Sequence, residues 1–357
     1  MKKLSLKDKL QLYTFERIVT IENLLTCFNR CIRGTSWKYS VQASTQFRLS
    51  NIYDIFQDLC NGIATVRFGK EFIYNERGKE RNIRSVHIVE RTVQKLLCDY
   101  LLIPVLSPYL IYDNGASLKG KGIGFARKRI KKHLTDFYRK YKTNKGYILC
   151  LDFQKYFENI NHKIVYDLLK EKILDDKLFN LIWQYIESFG ENGLCLGSQI
   201  SQILAVYYPN KLDHFVKEQL KVKGYGRYMD DSYLLFATKE EAQKSLVKIK
   251  EFIKDKGLIL HSQKTIIKKL NNGFVFLKGR YLISNTGKII VRIAKKNIKR
   301  QKIKLKKIKK LAIKRKLSYT NLINQVYSFS GHTKGFKCYN SCKPINIKFK
   351  KTLEAII

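Results

Sequence analysis

Tyr225-Gly226-Arg227-Tyr228-Met229-Asp230-Asp231-Ser232-Tyr233-Leu234-Leu235-Phe236 reads as two short apolar strands folded about a pair of adjacent carboxylates. Aromatic and aliphatic residues fill both arms, as in strands buried within a sheet. Two carboxylates side by side at a buried-strand turn repel each other and are unfavourable without a cation. A lone Asp-Asp turn is more often an ordinary surface turn, so its meaning depends on a partner elsewhere. Gly146-Tyr147-Ile148-Leu149-Cys150-Leu151-Asp152 offers one, a short buried-type strand that closes on an acid. Phosphoryl transfer to a hydroxyl needs two divalent ions roughly 4 Å apart, stabilising the attacking and leaving oxygens. Mg2+ takes oxygen ligands and shares one or two carboxylates with substrate phosphates, so strand ends and turns are where such carboxylates are expected.

Charge limits the partners. The 357 residues carry 70 Lys and Arg against 29 Asp and Glu, a net +41. A field of that size calls for a polyanion. No apolar run approaches the ~20 residues that span a bilayer, and the charged Lys7-Asp8-Lys9 interrupts any leader-like apolar segment. Nucleic acid is the expected partner, no membrane is expected, and a cytoplasmic location follows. Eight scattered Cys fit reduced thiols. The pairs Cys27/Cys31 and Cys338/Cys342 are expected to be small buried residues one helical turn apart, not zinc ligands.

Apolar spacing predicts helices over 10–32, 49–59, 88–102, 125–141, 200–222 and 239–256. Strand-like alternation occupies 64–84 around the turn-like Asn75-Glu76-Arg77-Gly78, and again 274–283. From Arg292 to Lys316, 14 of 25 residues are Lys or Arg with no acid, and Ile298, Leu305 and Ile308 recur at near-helical spacing. A solvated face normally mixes signs, so this basic amphipathic helix is expected to track a phosphate backbone. A boundary is placed near 291.

Four segments in order carry a family resemblance. Tyr228-Met229-Asp230-Asp231 resembles the C motif of reverse transcriptases. The stretch Leu151-Asp152-Phe153-Gln154-Lys155-Tyr156-Phe157 resembles their A motif, Gly193 to Gln202 their B motif, and Phe276-Leu277-Lys278-Gly279-Arg280-Tyr281 the primer grip. The likeness covers roughly residues 20 to 340. It implies an α+β right-hand polymerase: a region of fingers in 1–145 (with part of the palm in 86–111), a palm in 146–291 with an antiparallel sheet, and a short basic helical thumb in 292–357. It implies an enzyme, an RNA-directed DNA polymerase, with Asp152, Asp230 and Asp231 as catalytic residues. These three and the backbone carbonyl of Phe153 would be ligands of two Mg2+ ions, with Mn2+ able to substitute.

The same resemblance assigns the neighbours. Phe157 matches the steric gate that would exclude a ribose 2′-hydroxyl. Arg81 and Arg84 become candidates for the triphosphate, since Arg pairs well with phosphate oxygens, and Arg81 matches better. Leu196, Gly197 and Gln202 would lie beside the incoming nucleotide, and Lys264 matches a lysine that can give a proton to pyrophosphate. Tyr228, Met229, Leu277, Lys278 and Gly279 would hold the primer, with Lys299, Arg300 and Lys304 on the duplex backbone. Gly115 to Gly122 is not a P-loop, because its glycines are wrongly spaced from lysine; it resembles the loop before the second finger helix.

Within the family, Leu196-Gly197-x-x-x-Ser201-Gln202 replaces the commoner Gln-Gly-x-x-x-Ser-Pro. An aliphatic residue before the Gly and Gln after the Ser resemble the enzymes of diversity-generating retroelements, as does Tyr327-Ser328-Phe329-Ser330-Gly331-His332. That branch implies a template RNA, an RNA–DNA hybrid, deoxynucleoside triphosphates, a small basic accessory protein, and a bacterial or phage host. A phage-defence reverse transcriptase is the alternative, making DNA from a non-coding RNA or without a template. A non-catalytic RNA-binding scaffold is the third reading, opposed by the three intact acids.

Overall fold

The run Tyr147–Leu151 (β3) is apolar at nearly every position because it is covered on both faces. Leu149 and Leu151 enter one hydrophobic core, while Ile148 enters a second on the opposite face of the same sheet. Strand Asp231–Phe236 (β5) divides likewise, Leu234 and Phe236 to the first core, Tyr233 and Leu235 to the second. Period-two alternation survives, but both sides are apolar. The computed structural model describes residues 6–64, 66, 71–76 and 78–314, with isolated positions beyond.

In chain order the elements begin with helices α1 (Leu6–Leu10), α2 (Phe15–Ile18), α3 (Ile21–Ile32), α4 (Tyr39–Gln46) and α5 (Arg48–Cys60). Strands β1 (Glu71–Glu76) and β2 (Lys79–Arg84) form a two-stranded ribbon. Helices α6 (Ile88–Leu97), α7 (Ile103–Leu106) and α8 (Ile123–Tyr141) lead to β3, after which the chain forms α9 (His162–Lys170), α10 (Asp176–Glu187), α11 (Gln199–Tyr207) and α12 (Asn210–His214). Then come β4 (Tyr225–Tyr228), β5, α13 (Lys239–Ile253), β6 (Ile266–Lys269), β7 (Phe274–Phe276), β8 (Gly279–Ile283), β9 (Ile289–Ile293) and α14 (Lys295–Ile313).

Strand order in the central antiparallel sheet is β4-β5-β3-β6, and a second antiparallel sheet runs β7-β8-β9. The first core lies under the central sheet and continues into α3, α5 and α6, so the N-terminal helices share it. The second lies between α8, the other sheet face and the β7–β8 hairpin. Helix starts are fixed by side-chain caps at Thr20, Asn161, Asp175 and Ser198, and Thr238 with Glu241 closes a capping box on α13.

Three predicted helices are present with shifted bounds, and the one expected over 200–222 is divided at Tyr208-Pro209 into α11, α12 and a π-helix at Phe215–Gln219, because Pro209 has no N–H to continue the ladder. The single helix expected over 10–32 is broken, because Thr20 caps a new start at Ile21. The one expected over 88–102 turns into a π-helix at Cys98–Leu102, ahead of Pro104, which has no N–H to continue an α-helical ladder. Strands β6 and β9 were not foreseen. Arg292 belongs to β9, so the basic helix starts at Lys295, not at Arg292. Cys27 and Cys31 are buried on α3, and burial pushes their thiols up to about 12 and about 11. Cys338/Cys342 and most of 327–332 lie outside the described residues.

Candidate active site

Pairing register alone brings the first acid to the other two. β3 and β5 pair antiparallel with Leu151 opposite Ser232, so the next position along places Asp152 opposite Asp231. Directly opposed residues in such a pair have Cβ atoms ~5 Å apart. The Asp152 carboxyl is near enough to Asp231 to help raise its pKa. Asp230 sits one residue earlier, in the two-residue turn closed by the pair Tyr228 and Asp231. The turn is therefore Met229-Asp230, and Asp231 belongs to the strand, whereas the sequence had suggested a fold about both aspartates.

Met229 has φ +56 while Asp230 is not left-handed, the pattern of a type II′ turn that Gly normally fills. A non-glycine residue held there stores ~1–3 kcal/mol and needs support from its surroundings. Arg227 gives that support. Its guanidinium is 1% exposed and donates to the Asp213 carboxylate at 2.6–3.0 Å, to the Val206 carbonyl at 2.8 Å and to the Met229 carbonyl at 3.1 Å. Tyr225 Oη also donates to Asp213. The backbone of Arg227 is held as well, through Asp113 and Gly115. Helices α11 and α12, the loop at 113–115 and the carboxylate turn are thus tied through one residue, which sequence reading passed over. Its only trace was an Arg inside an otherwise apolar strand.

Three carboxylates at this spacing destabilise one another. Burial, then the charges of Asp230 and Asp152, pushes the Asp231 carboxyl up to about 7. Asp230 is raised too, first by burial and then by Asp152, against its own backbone hydrogen bond. Lys264 offsets part of the charge: its Nζ lies 2.7 and 2.9 Å from the two Asp152 oxygens. The segment carrying it is bonded to the A-motif backbone, with His261 N donating to Asp152 O and Gln154 N to Ile259 O, both at 2.8 Å. Those bonds leave the Phe153 carbonyl off the ladder, while the Phe153 ring is buried. His261, whose backbone makes the first of these bonds, has a buried Nδ1 with no hydrogen-bond partner.

Among the described residues no three His, Cys, Asp or Glu side chains already close around a single point as a metal cage. The donor set nevertheless fits Mg2+ of the shared kind: all-oxygen, open, and short of ligands that phosphates and water supply. An ammonium group already resting on Asp152, and a carboxyl that burial raises to about 7, are what such a site holds when cations are scarce.

Two clefts meet here, and Lys264 lines both. One, of about 820 Å³, is walled by Arg81, Phe157, Cys195, Leu196 and Asp230. The other, of about 610 Å³, is walled by Asp152, Asp231, Leu277, Lys278 and Lys296. Phe157 is half-buried, edge-on against Tyr156, and its carbonyl accepts from Leu194 N. Leu277 and Lys278 form the β7–β8 turn, both left-handed at φ +44 and +67, with Gly279 closing it opposite Phe276. Arg127 donates to Leu277 O, and Asn297 and Ala294 donate to Lys278 O, which fixes this second strained turn.

Gly197 has φ +117, and a Cβ there would fall 2.2 Å from the Arg84 carbonyl oxygen. Arg84 N donates to Leu196 O, and Ile83 bridges Leu196, so the ribbon's second strand docks onto this loop. Two expectations need correcting. Arg84 is 5% exposed and bonds Ser188, because it is the docking residue of β2; its side chain braces the cleft wall and does not reach out for phosphate. Gln202 stands exposed on α11 and is not among the residues walling the cleft, because Ser198 caps that helix and sets its face. Arg81 is half-exposed in the cleft and paired with Glu76 at 2.9 Å. Tyr228 is half-buried behind the turn, and Lys299, Arg300 and Lys304 stand exposed on α14.

A four-stranded antiparallel sheet packed with helices on both faces, flanked by a two-stranded ribbon, a second small sheet and a basic helix, is the right-hand polymerase fold. The chain belongs to the family described as reverse transcriptase (RNA-dependent DNA polymerase), whose sequence profile matches residues 75–320. No curated protein sequence matches it. Among solved structures it is similar to apo telomerase from Candida tropicalis truncated from its C-terminal domain, at 16% identity over 63% of this chain and 55% of that one, TM-score 0.47. It is also similar to telomerase from Candida albicans in complex with a TWJ fragment of telomeric RNA, at 11% identity over 81% of this chain and 59% of that one, TM-score 0.48. The chain thus spans less than two thirds of the length of either. Among the described residues no helix is long and apolar enough to cross a membrane.

Proposed function

We propose that this chain is an RNA-directed DNA polymerase that adds deoxynucleotides to a primer. The observation that carries the reading is the register that sets Asp152 against Asp231 beneath the Asp230 turn. Asp152, Asp230 and Asp231, with the Phe153 carbonyl, would hold two Mg2+ ions, which supply charge stabilisation for the attacking and leaving oxygens. Residues 1–145 act as N-terminal region and fingers (with part of the palm in 86–111), 146–291 as palm and 292–357, most of which beyond 314 lies outside the described residues, as thumb.

The remaining roles belong to side chains. Arg81 binds triphosphate oxygens once it leaves Glu76. Phe157 closes the wall of the nucleotide cleft against a 2′-hydroxyl, and Leu196 contacts the incoming base or sugar. Lys264 moves from Asp152 to the leaving pyrophosphate and gives it a proton. Leu277, Lys278 and Gly279 hold the primer end, while Lys299, Arg300 and Lys304 follow the hybrid backbone by charge and shape. The host is bacterial or phage, the location cytoplasmic, and the biological task the copying of a dedicated RNA in a diversity-generating retroelement, with a small basic accessory protein. Leu196 in place of Gln and Gln202 in place of Pro support that branch.

Primer extension on an RNA template with Mg2+ tests the chemistry. Wild type should extend and Asp230→Asn should not; equal extension by both would end the assignment. Sequencing the product tests the branch. Misincorporation concentrated at template adenines fits diversification, whereas DNA made equally well without template fits the defence alternative.

A further inference from the structure

The N-terminal helices precede the family match, which begins at residue 75, yet they carry the largest rings left in solvent. Trp37 is 74% exposed and Tyr39 84%, while Phe47, Leu49 and Tyr53 are each more than half exposed. These helices are not loosely attached. Leu24, Cys27, Phe28, Val41, Ile52 and Leu59 are buried in the main core, so α3, α4 and α5 present the rings on a fixed support. Trp37 and Tyr39 stand at the start of α4 and Phe47 just past its end, about 12 Å away by helical rise. Leu49 and Tyr53 lie one turn apart on α5.

The charge around them is mainly positive: from Asn23 to Tyr53 there is no Asp or Glu, while Arg33, Lys38 and Arg48 are present; Arg30 is paired with Asp99, and the next acid is Asp54. Lys38 lies 5.6 Å from the Trp37 ring centroid, placing a cation beside an exposed aromatic face. Isolated exposed apolar residues need no explanation, but rings interleaved with cations and small polar residues, with Asp54 the one acid beside them, match the surface on which unpaired bases stack while phosphates are neutralised. Duplex nucleic acid cannot use the rings, because its bases are already stacked. A second copy of this chain would bring like charge onto like charge.

We infer that the exposed face around Trp37, Tyr39, Phe47 and Tyr53 is a second nucleic-acid surface that binds single-stranded RNA outside the catalytic clefts. The inference does not require the polymerase reading, since binding is measured without chemistry. Removing rings leaves the net charge unchanged, so any lost affinity cannot be Coulombic.

The test uses fluorescence anisotropy of a labelled single-stranded RNA of about 15 nucleotides, near the upper site size of stacking platforms. The full chain is first saturated with an unlabelled primer–template hybrid. The labelled strand should still bind, and Trp37→Ala with Tyr39→Ala should weaken it about tenfold or more, as loss of stacked rings does. Hybrid affinity and primer extension should stay within twofold, and Phe47→Ala with Tyr53→Ala should weaken the strand in the same way. Three results would overturn the inference: a change below twofold, displacement of the strand by hybrid (one shared site), or a variant whose only change is loss of self-association on size exclusion, which would make the face a protein interface.

Discussion

Lys264 Nζ lies 2.7 and 2.9 Å from the two carboxylate oxygens of Asp152, so an internal ammonium group occupies the first of the three acids. The contact is 43% exposed on the lysine side, and pairs of that kind are worth only ~0.2–1 kcal/mol. Lys264→Met should therefore lower the melting temperature of the metal-free protein by only about 1–3 °C. Mg2+ should stabilise this variant more than wild type, because the cation it supplies is no longer partly replaced. Scanning fluorimetry in EDTA and in Mg2+ checks both. Loss of a proton donor should separately lower turnover by ~100-fold.

Arg227 and Asp213 form an ion pair in which both side chains are fully buried. Removing one partner of such a pair costs ~3–5 kcal/mol. Arg227→Lys should not rescue it, since one ammonium cannot reach Asp213, Val206 and Met229 together. Chemical denaturation should show the loss for Arg227→Lys and Asp213→Asn alike. In variants that remain folded, primer extension should fall more than tenfold because the left-handed Met229 turn loses its brace.

Asp231 gives stability an unusual pH dependence. Its folded value of about 7 stands above the ordinary ~3.9 of an unfolded Asp. Between those values the folded state holds a proton that the unfolded chain has released. This group's contribution is therefore neutral below pH ~4, becomes a growing penalty as pH rises, and is complete above pH 7. Metal-free wild type should melt several degrees lower at pH 8 than at pH 5.5. Asp231→Asn should reduce that slope and melt higher than wild type at pH 8. Mg2+ should have the opposite effect, stabilising wild type more as pH rises.

Gly197 is demanded twice over, by φ +117 and by the Arg84 carbonyl 2.2 Å from any added Cβ. Gly197→Ala must push the loop off β2. Its expected penalty is ~1–3 kcal/mol of backbone strain, with a larger loss in nucleotide affinity, read as a KM rise exceeding the fall in kcat.

The α14 cations act through phosphate. Replacing Lys299, Arg300 and Lys304 with Ala should flatten the log–log salt dependence of hybrid binding by about 2–3. Reduced affinity with an unchanged slope would remove them from the backbone path.

The sequence determined the ends of strands and the chemistry placed on them. Apolar runs closed by Asp152 and folded about Asp230 and Asp231 specify strand ends that carry acids, because period and polarity are local properties. It also determined an acid-free basic helix, although the start was read at Arg292 and lies at Lys295, and the ribbon around Asn75. It could not determine what lies beside what. Asp213 meets Arg227, Arg84 turns inward to Ser188, Lys264 reaches Asp152, and β6 and β9 pair only once other strands exist to receive them. Those outcomes depend on the register between strands and on which core claims each face, free energies shared among residues far apart in the chain. Only the folded molecule sets them.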